Sequence, residues 1–485
     1  MASSPKSAVI LGVFWSSFRS WGVRVTTLGV FLVLARLLSP AEIGVVMFIL
    51  GWLALIGIIG DLGLAEYIVY NDTAAEVDAS IWWLQMGITL LMSFTLAIVV
   101  FFGIWEIDPT QPGAQMAMLA LITTLPLMAA IKIPEAILRR RMEFKKLAIR
   151  SLISILFGAV VAVSLAYKGF GIWSLVLKQI IEAFFDLVLF FYYSRWLPSR
   201  PDLHSIKLAF LGGWGIVGSR ILDVITQKAD AVIIGSFIGM QELGFYSIAL
   251  RVYQVVNEGV VQPVTSVVAT AFGRVKTDPE RFKAFFLSAV QFAALITIPV
   301  FALAFALGGE WIPVVFGEQW QASSTIFQIM CISGILVGYS GLSGFSLLAQ
   351  GRNKAFMLLM TYAAAAALLS LFLLAPFGVS AVAWMFPLKV LAVFPLSLLL
   401  ARRLIGFRLQ DYFLGLLPSL LLGLIVLAAA FGVNALMSVL DSSLLDNRFV
   451  YMSVHTGLVM LIIMVIALLG YKQYFNSIRA TLHIQ

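Results

Sequence analysis

The chain has 485 residues, of which 61% are hydrophobic and 12% charged, whereas a soluble domain carries about 25% charged residues, so water is excluded as its main solvent. Its formal net charge of +8 comes from lysines and arginines spread through short gaps between apolar stretches, which excludes a concentrated nucleic-acid-binding face as the source. Three dispersed histidines, His204, His455 and His483, offer no metal-ligating or base-and-nucleophile spacing, and the single cysteine, Cys331, lies in an apolar stretch and reads as a buried small hydrophobe.

Crossing a hydrocarbon core ~30 Å thick takes roughly 20 apolar residues. Such stretches recur over 8–35, 42–70, 80–104, 114–137, 147–167, 171–193, 207–235, 242–272, 283–308, 321–349, 355–375, 378–401, 410–436 and 449–471, which predicts fourteen spans. The first runs too long for a signal-peptide core and lacks a small-residue cleavage site, so it is expected to stay as a span. The gaps between spans fall into two sets that differ sharply in basic residues. One set, together with both termini, holds Lys6, Arg139, Arg140, Arg141, Lys145, Lys146, Arg150 and most of the other lysines and arginines outside the spans; the opposite set holds only Arg36, Lys168 and Arg448. Lysine and arginine favour the cytoplasm, so both termini are expected inside, which requires an even number of spans. The same basic fringe meets anionic membrane lipid.

A faint internal repeat appears at a shift of about 200 residues. Leu37-Leu38-Ser39-Pro40-Ala41-Glu42-Ile43-Gly44 follows the first span and Phe237-Ile238-Gly239-Met240-Gln241-Glu242-Leu243-Gly244 the seventh; Phe170-Gly171-Ile172 is echoed by Phe377-Gly378-Val379. A repeat of six spans keeps its orientation, so the copies should be related by an axis along the membrane normal. The expected fold is therefore an all-α integral membrane protein with two six-helix lobes and two trailing helices: residues 1–200, 201–404 and 405–485.

Ionisable residues in mid-span cost about 2.5 to 3.5 kcal/mol each on insertion scales. Arg19 and Arg24 occupy the first span, Lys178, Glu182 and Asp186 the sixth, Arg220, Asp223, Lys228 and Asp230 the seventh, Arg251 and Glu258 the eighth, and Lys389 the twelfth. All of them facing lipid would cost on the order of 30 kcal/mol, so they must face protein or an aqueous cavity. Their spacing is helical: Arg251, Gln254, Glu258 and Gln262 form one stripe, and Lys178, Glu182 and Asp186 share a face. Lys178 with Glu182, Arg220 with Asp223 and Arg251 with Glu258 are possible structural pairs. The alternative is a partly cationic cavity between the lobes, where arginine binds a phosphate or another polyanion bidentately. In that reading Arg19, Arg24, Lys178, Arg220, Lys228, Arg251 and Lys389 are candidate substrate-binding residues. Asp61, Asp223, Asp230 and Glu258 are candidates for binding a coupling proton or sodium ion. Asp61, within Gly60-Asp61-Leu62-Gly63-Leu64, also fits a backbone-capping role at a bend, and Pro126, Pro263, Pro299, Pro387 and Pro395 are expected to kink or break their spans. No P-loop sequence occurs and no other cofactor is implied, so energy must come from an ion gradient, the substrate gradient or the membrane potential.

Three segments carry a family likeness: Ala35-Arg36-Leu37-Leu38-Ser39-Pro40-Ala41-Glu42-Ile43-Gly44, Asp61-Leu62-Gly63-Leu64 and Leu138-Arg139-Arg140-Arg141-Met142-Glu143-Phe144. With them the chain resembles the Wzx-type polysaccharide flippases. It is most similar to their colanic-acid and teichuronic-acid exporter-like branch, in the multidrug/oligosaccharidyl-lipid/polysaccharide (MOP) superfamily that also holds the MATE transporters. Asp230-Ala231-Val232-Ile233-Ile234-Gly235, Leu243-Gly244-Phe245-Tyr246 and Ala249-Leu250-Arg251 extend the likeness, which covers roughly residues 10–275. Lys228 departs from the small or neutral polar residues the resemblance leads one to expect before Asp230. The resemblance implies a non-enzymatic transporter of the bacterial cytoplasmic (inner) membrane. It would move an undecaprenyl-pyrophosphate-linked oligosaccharide from the cytoplasmic to the outer leaflet by alternating access, alongside polysaccharide polymerase and export proteins and without nucleic acid. Glycan selection is expected at polar and aromatic residues such as Trp15, Tyr253, Gln328 and Tyr339. A lipid II flippase, an ion-coupled multidrug antiporter and a non-transporting scaffold stay open, although cavity arginines argue against the antiporter and the scaffold.

Overall fold

The computed structural model describes residues 5–61, 64–70, 75–105, 111, 113–202, 224–439 and 456–457, and within them the side chains other than those of 5–10, 13, 59, 61, 66, 67, 70, 75 and 434–439. All regular structure among these residues is helical. Residues 207–223 of the seventh predicted span and nearly all of the fourteenth lie outside the described residues, as do Arg220, Asp223 and the three histidines. The chain divides into two units, Met1–Gly244 and Phe245–Gln485.

In the first unit, α1 (Pro5–Leu37) leads through a two-residue link into α2 (Pro40–Asp61). The link is a capping box. Ser39 Oγ accepts from the Glu42 N–H at 3.3 Å, and the Glu42 carboxylate accepts from the Ser39 N–H at 2.8 Å. Pro40 occupies the first helical position, where its missing N–H costs nothing. Then follow α3 (Leu64–Tyr70), α4 (Ala75–Phe101), α5 (Ala114–Ile122), α6 (Thr124–Arg140), α7 (Phe144–Tyr167), α8 (Ile172–Ser194) and α9 (224–237). The predicted fourth span is thus two helices, parted at Thr123 where Pro126 cannot donate to the preceding turn. α7 packs on both α1 and α8, and α6 packs on α8 and α4.

The basic gap after α6 stitches this unit together. Arg140 pairs with the buried Asp78 on α4 at 3.0 Å, and Arg141 donates to the carbonyl of Ser194 at the end of α8 at 2.8 Å. The start of α10 (Met240–Val256) meets α2 at a crossing of backbones within the same unit. A Cβ on Gly44 would lie 1.7 Å from the Met240 carbonyl oxygen, and one on Gly244 would lie 2.0 Å from that of Pro40. Each glycine meets the residue four positions before the other, so the pair predicted as repeat equivalents makes reciprocal contacts.

In the second unit, α10 continues through a π-helical turn, Asn257–Val261, into α11 (Gln262–Val275), where Pro263 withholds its N–H. The rest is α12 (Pro279–Phe316), α13 (Gln321–Ala349), α14 (Asn353–Leu374), α15 (Val379–Ala383), α16 (Met385–Ile405) and α17 (Leu409–Val439). Asp278 caps α12 by accepting from the N–H groups of Glu280 and Arg281, both at 3.1 Å. α12 packs closely on α13 because Gly334 and Gly338, one turn apart, sit against Phe301 and Thr297. Pro299 and Pro395 stay inside unbroken helices, whereas the break at Trp384 precedes Pro387. Ten of the described helical segments are long and apolar enough to cross a membrane, so this is a multi-pass membrane protein. α8 is long enough but is not among the ten; it carries Lys178, Glu182 and Asp186.

Candidate functional site

Those three residues recur every fourth position along α8 and therefore share one face. Lys178 reaches Glu182 at 2.9 Å on its own helix, and Asp186 takes Arg150 of α7 at 2.7 Å. Arg150, 8% exposed, is held further by a hydrogen bond to Ser151 Oγ at 2.8 Å and by stacking over the Phe190 ring at 4.0 Å. The close fit of α8 against α7 depends on Gly158, where a Cβ would fall 2.5 Å from Glu182 Cγ.

Two cavities, of about 400 and 410 Å³, lie in the first unit and share Glu182 and Asp186 as a common wall. The first is a charged vestibule lined by Arg19 and Arg24 of α1, Glu135 of α6, and Arg150 and Ser154 of α7. Arg19 is half-buried and forms no ion pair or hydrogen bond among the described residues; the charges acting on it are those of Glu135, Arg150 and Arg139. Glu135 is bonded to Arg139, and Glu182 to Lys178. Five cations thus stand around three carboxylates, so the vestibule keeps a cationic excess suited to a phosphate. The Asp186 Oδ1 atom and the Arg150 Nε are buried without a hydrogen-bond partner. The second cavity, the chamber, is bounded by Gln85 and Thr89 of α4, Thr124 and Lys132 of α6, Gln179 of α8 and the aliphatic face of α2.

The structure therefore brings Arg19, Arg24 and Lys178 to one place and leaves the other expected residues elsewhere. Asp61 ends α2 with its side chain outside the described atoms. On α9, Asp230 is buried and accepts from the N–H of Ala231 at 2.7 Å, whereas Lys228 is exposed and forms no ion pair among the described residues. Arg251 on α10, Glu258 in the π-helical turn and Lys389 on α16 belong to the second unit. Arg251 makes no ion pair with Glu258, and Lys389 lies 5.7 Å from the Phe386 ring. Of the residues expected to choose the glycan, Tyr253 is buried against Ser333, Tyr339 is in the core of α12 and α13, and Gln328 donates to the carbonyl of Phe305. Packing, not ligand contact, accounts for these three. Trp15 lies under Lys145, 5.5 Å from its ring.

Several site residues escaped the sequence reading. Lys132 and Glu135 sit three positions apart near the end of a span, where they pass for interfacial charges, and Arg150 passes for part of the basic gap. The signal that would have found Arg150 is its place beside Ser151 and one turn before Ser154 on a helix already under way at Phe144. Gln85, Thr89 and Gln179 are neutral and gave no signal by cost.

Comparison with known proteins places this geometry in a family. Residues 33–325, more than half of the chain, match the family described as "Polysaccharide biosynthesis protein". The succinoglycan biosynthesis transport protein ExoT of Rhizobium meliloti is 31% identical over 63% of this chain and 62% of its own length. The teichuronic acid biosynthesis protein TuaB of Bacillus subtilis is 24% identical over 88% of this chain and 89% of its own. The lipopolysaccharide biosynthesis protein WzxC of Escherichia coli is 24% identical over 72% and 71%. Among solved structures, the lipid II flippase MurJ in an inward closed conformation matches with a TM-score of 0.70 and 17% identity, covering 94% of this chain and 98% of MurJ. A multidrug resistance MATE family transporter of the MOP superfamily in an inward-facing conformation matches at 0.57 and 13% identity, over 79% and 94%. These two likenesses establish the fold.

Proposed function

The chain belongs to the polysaccharide biosynthesis protein family, and from that premise we propose that it is a flippase for an undecaprenyl-pyrophosphate-linked oligosaccharide. It carries this substrate from the cytoplasmic to the outer leaflet of the bacterial inner membrane by alternating access, for exopolysaccharide, capsule or O-antigen synthesis. The single observation that carries the reading is the vestibule, where Arg19, Arg24 and Arg150 converge on a space bounded by partnered carboxylates. A pyrophosphate needs hydrogen-bond donors and positive charge in a sheltered site, and arginine offers both in a planar fork. The named relatives, a succinoglycan transport protein and a teichuronic acid biosynthesis protein among them, support a glycan-bearing cargo.

With both termini cytoplasmic, the vestibule opens on the inner half of the membrane. Arg150 then stands six residues into α7 from its cytoplasmic end, a depth of about 9 Å at ~1.5 Å per residue. That depth lets a headgroup enter while its polyprenyl tail stays in the bilayer. A proton or sodium ion would couple through Asp61, Asp223, Asp230 or Glu258 if an ion gradient drives the cycle, and polymerase and export proteins would receive the product.

The test is translocation in vesicles of a pyrophosphate-linked polyprenyl oligosaccharide by the wild type and by Arg19→Ala. Loss of one bidentate contact of roughly 1.5 to 3 kcal/mol predicts a fall in rate of about ten- to a hundredfold in a folded variant. Unaltered transport by Arg19→Ala removes the vestibule from the mechanism. Transport of cationic drugs and of no lipid-linked glycan replaces the flippase with the antiporter; efficient transport of lipid II alone assigns the cargo to peptidoglycan.

A further inference from the structure

The chamber beside the vestibule differs from it in kind. Apart from Lys132 and the shared Glu182 and Asp186, its polar groups are the neutral amides of Gln85 and Gln179 and the hydroxyls of Thr89 and Thr124. Phosphate oxygens need donors only, whereas amides and hydroxyls both donate and accept, which is the complement of a polyhydroxyl ring. The opposite wall is aliphatic, with Leu50, Leu53 and Ala54 of α2, a surface for the C–H face of such a ring.

Thr89 is 4% exposed and makes no hydrogen bond among the described residues, although a helical threonine has its own preceding carbonyl within reach. Gln179 likewise makes none. Gly60 faces Thr89 so closely that a Cβ there would lie 2.4 Å from Oγ1, so a bulkier residue would crowd the hydroxyl that borders the chamber. The Asp186 Oδ1 atom, buried without a hydrogen-bond partner, stands in the wall between the two spaces. Buried polar groups are normally satisfied. Three polar groups without a partner around one cavity of about 410 Å³, Thr89, Gln179 and Asp186 Oδ1, fit a ligand rich in hydroxyls.

Resting on the flippase reading, we propose that this chamber is the saccharide subsite: it takes the sugar joined directly to the pyrophosphate while the vestibule holds the phosphates. Thr89 and Gln179 hydrogen-bond the ring hydroxyls, and Asp186 accepts from a hydroxyl at the junction. No covalent step is involved. Residues on α4 and α8 then set which first sugar is accepted, apart from whatever recognises the rest of the glycan.

The experiment measures flipping in vesicles of three probes: undecaprenyl pyrophosphate, the same carrier bearing one glucose, and the same carrier bearing one galactose. It compares wild type, Thr89→Val, Gln179→Leu and Arg19→Ala, with thermal unfolding in detergent confirming that each variant folds. The expected result is that Thr89→Val and Gln179→Leu each lower the ratio of glycosylated to bare carrier flipped by about tenfold, one buried hydrogen bond's worth. Arg19→Ala lowers all rates without moving that ratio. A ratio unchanged in both chamber variants overturns the subsite and leaves the flippase reading standing, whereas wild-type flipping of the bare carrier and of neither glycosylated one overturns the subsite together with the glycan-bearing cargo. Wild-type protein that flips none of the probes overturns the flippase reading and the subsite with it.

Discussion

Arg150 joins two roles that pull in different directions. Its guanidinium is buried, paired with Asp186 across α7 and α8 and stacked on Phe190, and its Nε is buried without a hydrogen-bond partner, yet the residue also lines the vestibule. Removing one member of a buried pair leaves the other charge uncompensated, which costs more than the pair contributes. Arg150→Ala should therefore destabilise the folded protein by about 3 kcal/mol, read as a lowered unfolding temperature in detergent. The double variant Arg150→Ala with Asp186→Ala should lose less than the two single losses added, because the charges are coupled. Additive losses would mean that the pair is not formed in the membrane. The same argument applies to Arg140 and the buried Asp78, a pair that ties the basic gap to the start of α4. A lysine or arginine counted as a topology signal can thus also be a bolt.

At the scale of the element, the link between α1 and α2 shows why Ser39-Pro40-Ala41-Glu42-Ile43-Gly44 reads as it does. Serine, proline and glutamate start the helix, and the glycine two residues later lets α10 cross it. Glu42→Ala should cost about 1 kcal/mol as a lost cap, measurable by thermal unfolding, with Glu42→Gln retaining most of it. Gly44→Ala is expected to be worse, roughly 2 to 3 kcal/mol, because the atoms a methyl would meet are backbone and cannot swing aside. Gly244→Ala should behave in the same way, since the contacts are reciprocal. Equal stability of wild type and Gly44→Ala would show that the backbones do not cross this closely. Pro126 follows the break at Thr123 and Pro263 follows the π-helical turn that joins α10 to α11, whereas Pro299 and Pro395 are carried within α12 and α16.

For the whole molecule, the asymmetry of lysine and arginine predicts which loops face which side. Cys331 is buried, so the wild-type background for a membrane-impermeant maleimide should be low. A cysteine at the exposed Lys168 should label from outside intact cells, and one at the exposed Lys145 should label only after permeabilisation. The reverse pattern would invert the topology and move the vestibule to the outer half. The helical spans, the bias of charge between loops and the match of Gly44 with Gly244 were all legible along the chain. Each depends on length, hydropathy or neighbours within a turn. Arg19, Arg24 and Lys178 were legible as a cost, because a charge in a hydrocarbon slab demands shelter wherever its partner lies. What the sequence alone determined was therefore a polytopic helical protein with sheltered charges and a directional loop bias. Only the tertiary structure decided that Arg150 meets Asp186, that Lys132 and Glu135 border cavities and that Gln85, Thr89 and Gln179 enclose a chamber. Those contacts join residues far apart in the chain, and neutral side chains carry no insertion penalty large enough to betray where they point.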